Sequence, residues 1–139
     1  MSFNPEDLLA LAQELDAEAR HSGNGKSGGL REAKFRAAIS RAYYAAFWSG
    51  RLYFQNAQPP QLLSNFGPHL ELQHLFGNYA GQAMKTITIN LQQLHKLRNR
   101  ADYDAIVRQL EEESARALRL ANRLLNDIGN LPSDPTQAP

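Results

Sequence analysis

Ser40-Arg41-Ala42-Tyr43-Tyr44-Ala45-Ala46-Phe47 is the stretch whose reading decides the architecture. It lies inside an apolar pattern running from Leu30 to about Gln55 at helical spacing. Phe35, Ile39, Ala42, Ala46 and Tyr53 fall on one side, and Tyr43, Phe47 and Phe54 on the adjoining one. A stripe that broad predicts a central helix with neighbours on two sides. Ala42, Ala45, Ala46 and Gly50 are small enough to let one of those neighbours approach closely.

Outward from this helix the chain reads as helices and connections only. Upstream, Asn4-Pro5-Glu6-Asp7 predicts a helix start: Asn caps free amides, Pro is tolerated in the first turn, and early carboxylates suit the dipole. That first helix runs to about Arg20, with Leu8, Leu11, Ala12, Leu15 and Ala19 as its buried stripe. The four glycines between His21 and Gly29 predict a flexible connection. Gly25-Lys26-Ser27 is not a phosphate loop, because Arg20 stands where the first Gly is needed and a helix, not a strand, precedes it.

Downstream, Gln58-Pro59-Pro60 ends the pattern, and a loop runs towards Pro68. A short helix is predicted from His69 to about Tyr79, and a fourth from about Gln82 to Arg100. The apolar series Met84, Ile87, Leu91, Leu94 of the fourth helix continues onto Arg98, which must be paired or open into a groove, since an unpaired buried charge is expensive. A last helix spans about Val107 to Ile128, with Leu110, Leu118, Ala121, Leu125 and Ile128 inward. Residues 129–139, with prolines at 132, 135 and 139, are expected to be a disordered tail. The expectation is one all-α domain over residues 1–128, an up-and-down bundle of four to five helices.

Composition narrows the chemistry. The chain has 139 residues, 42% of them hydrophobic, enough for one continuous core. With no cysteine there is no disulfide, thiolate ligand or thiol nucleophile. No signal-peptide pattern or membrane span is read, so a cytoplasmic location without membrane partners is expected. Fifteen Lys plus Arg against fourteen Asp plus Glu decide nothing in bulk, but positive charge clusters between Lys85 and Arg100 while Glu111-Glu112-Glu113 follows, either as a solvated face or as a dock for a basic partner.

Three stretches in order resemble the HEPN superfamily, in the branch of short prokaryotic proteins paired with minimal nucleotidyltransferases. They are Ser40 to Phe47, His69 followed by Leu72 and Phe76, and Leu97-Arg98-Asn99-Arg100-Ala101-Asp102-Tyr103. The resemblance implies a homodimer, often with the arginine near the dimer cleft. Active members are metal-independent ribonucleases, commonly toxins restrained by a nucleotidyltransferase antitoxin. It implies Arg98 as the motif arginine, but the histidine expected after four to six intervening residues is absent: Tyr103, Asp104 and Ala105 stand at positions 103–105.

Two functional readings stay open, a ribonuclease and a module that binds RNA or nucleotide, or docks the partner, without cutting. In the first, Arg98 stabilises phosphoryl charge, Asp102 and Tyr103 line the site, and His95, three residues before Arg98, supplies the imidazole. The plain alternative is an Arg98–Asp102 ion pair at a helix end with Tyr103 packed beside it. Tyr43 and Phe47 read as packing rather than as a base-stacking platform. His69 and His74 are five apart, wrong for a shared metal, and no cofactor is expected.

Overall fold

The computed structural model describes residues 3–22, 28–64 and 67–139; most of the Gly-rich connection, with Gly25-Lys26-Ser27, and part of the loop before Pro68 lie outside them. The described residues form an all-α bundle of five helices: α1 Pro5–His21, α2 Gly28–Gln55, α3 Pro68–Gly77, α4 Gln82–Tyr103 and α5 Leu110–Gly129. No described helix is long and apolar enough to cross a membrane.

Helix α2 is the axis, packed against all four others. Phe35, Ala38, Ile39, Ala42, Tyr43, Ala45, Ala46, Phe47, Gly50 and Phe54 are buried around its circumference. The expected small-residue approach is real at Gly50, where an added Cβ would lie 2.9 Å from Phe76 and 3.0 Å from Leu72. Antiparallel packing follows from the pairings. Lys34 near the start of α2 meets Glu18 near the end of α1, while His69 at the start of α3 stacks on His95 towards the end of α4.

Two outer helices bury faces offset from those expected. On α1 the buried stripe is Leu9, Ala12, Asp16 and Ala19, while Leu11 is exposed. On α5 it is Ser114, Ala117, Ala121, Leu124 and Ile128, with Leu110, Leu118 and Leu125 only half-buried. The reason is a polar pair: Ser114 donates to Asp16 at 2.7 Å, so a serine and a carboxylate that the hydrophobic pattern places outside face each other across the α1–α5 seam. Arg20 donates to the same carboxylate from outside. A buried charge satisfied in this way can occupy a core-facing position.

Both ends of the α4–α5 connection differ from expectation. α4 continues to Tyr103, where Arg36 of α2 donates to the carbonyls of Ala101, Asp104 and Ala105 at 2.8, 2.7 and 3.1 Å. A guanidinium over the last carbonyls satisfies acceptors that the helix leaves open. α5 begins at Leu110 rather than near Val107, because Gln109 is in the left-handed region at φ 55°, and a right-handed helix does not pass through such a residue.

Residues 129–139 are folded onto the bundle, contrary to the disorder expected of them. Tyr53 donates to the Pro132 carbonyl at 2.6 Å, the Gln58 amide to Ser133 at 3.0 Å, and Pro135 is buried in a short 3-10 turn. The Ala83 amide, an orphan donor in the first turn of α4, donates to the Pro139 carbonyl at 3.0 Å. Composition marks this segment as unable to form a core alone, yet it docks on acceptor-poor positions that the other elements leave.

Candidate functional site

The signature Leu97 to Tyr103 is wholly helical, so Arg98 and Asp102 stand one turn apart on one face. The apolar series of α4 continues with Leu97 and Ala101 rather than Arg98, and the arginine flanks the core. Its side chain is still only 12% exposed. Nε donates to Asp102 at 2.8 Å, Nη1 to the Asn99 side-chain oxygen Oδ1 at 3.3 Å, and Nη2 to the hydroxyls of Tyr44 at 2.9 Å and Tyr103 at 3.5 Å. The guanidinium carbon lies 5.8, 5.2 and 5.4 Å from the ring centres of Tyr43, Tyr44 and Tyr103. Three aromatic rings within about 6 Å give the cation a favourable setting. Burial lowers its affinity for the proton, but Tyr44, Asp102 and Tyr103 outweigh burial and hold it above its ordinary value. Arg98 is a permanent cation. Ser40 of α2 donates to Asp102 at 3.3 Å and so fixes the carboxylate from the other side.

Beyond the tyrosines stand two imidazoles. His95, one turn before Arg98, stacks on Tyr43 at 5.2 Å between ring centres. His69, the second residue of α3, stacks on His95 at 5.4 Å, and its Nδ1 shares a 2.6 Å hydrogen bond with the Tyr43 hydroxyl. Gln73, buried on α3, holds Nδ1 of His95 at 3.1 Å. With both Nδ1 atoms engaged, Nε2 is the ring nitrogen that each histidine can offer to a ligand. Burial lowers the pKa of His69, reinforced by His95 and Arg98; burial lowers that of His95 too, reinforced by Arg98. Both are neutral at pH 7. Burial also drives Tyr43 well above the ordinary phenol range, so its hydroxyl keeps its proton.

Of the residues singled out by sequence, Arg98, Asp102, Tyr103 and His95 therefore fall into one cluster. Tyr103 is its outer wall, 73% exposed. Sequence reasoning missed His69, Tyr44, Ser40 and Gln73 as members. The signals for His69 were its place at the head of an amphipathic helix and in the second stretch of the family resemblance, but nothing local tells which residue that helix will face. Tyr43 and Phe47 are buried as expected of packing residues. Arg41 is exposed, and Arg51 lies over the Trp48 ring at 5.1 Å. The acidic run is not a bare solvated face: Glu111 binds Arg20 and Arg31, and Glu113 binds Arg100 at 2.7 Å.

No family model, curated protein or solved structure matches this chain. The bundle and its arginine–histidine–tyrosine cluster are therefore the basis for a functional reading.

Proposed function

We propose that this chain is an RNA-directed HEPN module that acts, as a dimer, as a metal-independent endoribonuclease of the toxin–antitoxin type. The observation that carries the reading is the pair of neutral imidazoles packed beside Arg98. Cleavage of RNA without metal requires a base for the 2′-hydroxyl, positive charge at the phosphoryl oxygens and an acid for the leaving oxygen. The motif histidine after Arg98 is missing, and His95 and His69 supply imidazole from the other direction. In the tautomer that donates its Nδ1 proton to the Tyr43 hydroxyl, His69 presents its Nε2 lone pair as base, whereas the Gln73 amide group donates to Nδ1 of His95 and fixes that ring with its proton on Nε2. Arg98 supplies the charge, and the Tyr103 hydroxyl, 3.5 Å from its Nη2, supplies the proton for the leaving oxygen.

The Arg98–Asp102 pair does not oppose this. Asp102 also accepts from Ser40, so the carboxylate keeps a partner when a phosphate oxygen takes its place on the guanidinium.

A second reading is favoured by the same ion pair and by the low exposure of the guanidinium: a binding module that holds RNA or nucleotide, or docks a nucleotidyltransferase, without cutting. The experiment that separates the two is purified protein with total RNA in chelator. Discrete cleavage is expected, lost in Arg98→Ala and reduced about 10²–10⁴-fold in the His69→Gln/His95→Gln double variant. Intact RNA under every condition eliminates the enzymatic reading.

A further inference from the structure

Basic side chains in this bundle are sorted by whether they meet a carboxylate. Arg20, Arg31, Lys34, Arg36, Arg98 and Arg100 each have a carboxylate oxygen between 2.7 and 3.2 Å away. Arg41, Arg51 and Arg108 have none among the described residues, and the other cations without one gather on the outer side of α4 and α5. Lys85 and Lys96 of α4 and Arg116 and Arg119 of α5 are exposed, and none has a carboxylate within ion-pair distance among the described residues. Arg123, also exposed, has Asp127 at 3.7 Å.

These groups lie on the flank of α4 opposite the Arg98 cluster. Arg116 donates to Gln93 at 2.9 Å and Arg100 to Glu113, tying that flank to α5, whereas His95 and Arg98 turn to α3 and α2. Arg116, Arg119, Leu120 and Arg123 line a shallow depression of about 430 Å³. The arginines recur at i, i+3 and i+7, one helical face about 10 Å long. The carboxylates that face it are Glu112, one turn before Arg116, and Asp127, one turn after Arg123.

We infer that this α4–α5 face binds the phosphate backbone of single-stranded RNA, at a site distinct from the Arg98 cluster. The RNA identity rests on the proposed function; the phosphate chemistry rests on the face itself. Protein-binding patches also use arginine, but set it among aromatic and Met side chains in an apolar core. This depression has one apolar lining residue, Leu120, among guanidinium groups, with no aromatic side chain. Nucleic-acid interfaces are polar, wet and strongly positive. Four cations without carboxylate partners, and a fifth weakly held, can neutralise phosphates without first breaking strong internal ion pairs.

The test uses the full chain and a fluorescein-labelled single-stranded RNA, with anisotropy read across a series of salt concentrations in the Arg98→Ala background so that the probe stays intact. Adding Arg116→Gln/Arg119→Gln/Arg123→Gln should weaken binding at least tenfold. It should also make the slope of log affinity against log salt shallower by about 2, for three phosphate contacts at roughly 0.7 each. Because all three side chains are exposed, circular dichroism should match the parent; if it does not, Arg119→Glu alone repeats the measurement and should weaken binding. Unchanged affinity and slope overturn the inference, as does polyglutamate displacing the RNA at equal charge. The two proposals fail separately. Loss of binding in the triple variant, with no RNA cleavage by the unmodified chain, keeps this face and removes the enzyme. Cleavage that persists unchanged in the triple variant, with binding also unchanged, does the reverse.

Discussion

At the scale of single residues, the stacked pair of His69 and His95 joins chemistry to stability. The groups facing it are Tyr43 and Tyr44 from α2, Gln73 from α3, and Arg98 with Asp102 from α4. Both histidines have folded-state pKa values below the ordinary imidazole value of about 6.5. A depressed pKa means that the unfolded chain takes up protons first as pH falls. Stability is therefore fully present above about pH 6.5 and is lost as pH falls through the lowered folded values. Urea midpoints at pH 7.5 and pH 5 should show this loss, and His69→Gln/His95→Gln should make it smaller. An equal acid loss in the variant would place its origin in other groups. The same titration predicts that RNA cleavage rises with pH to a plateau already reached near neutrality.

At the scale of elements, the α2–α3 crossing depends on the absence of a side chain at Gly50. Phe76 and Leu72, the atoms that a Cβ would meet, are both fully buried and have no room to retreat. Gly50→Val should destabilise by about 2–3 kcal/mol through overpacking. Gly29→Ala, where a Cβ meets nothing within 4 Å, should be neutral or stabilising by up to about 1 kcal/mol. Chemical denaturation of the two variants gives both signs, and equal effects would show that helix propensity, not the crossing, governs Gly50. The docked segment after α5 makes a related point. A Cβ at Gly81 would lie 2.6 Å from the backbone oxygens of Ala138 and Pro139, so the entry to α4 is shaped to receive that segment.

At the scale of the whole molecule, Tyr103, which packs against Arg98, and Ile106, three residues further along, are 73% and 82% exposed. On the proposed function a second copy covers them and completes a shared cleft around the arginine. Light scattering should then give a mass near twice 15.6 kDa. A single-chain mass at micromolar concentration would remove the shared cleft and leave the cluster as a one-chain site.

The amino-acid order by itself determined that the chain is helical, roughly where each helix lies, that α2 is central, and that Arg98 and Asp102 share a face. Those properties depend on spacing, caps and breakers, which act within a few residues. Only the tertiary structure decided that His69 meets Tyr43 and His95, that Ser114 and Asp16 rotate α5 and α1 from their apolar stripes, and that residues 129–139 dock. Each of these depends on which faces of distant helices come together, and a side chain's local pattern carries no record of the partner that packing will bring to it. Arg98 and Asp102 were legible as one turn apart at the end of the fourth helix; the imidazoles that give that face its chemistry came into place only through the packing of α3 and α4 on α2.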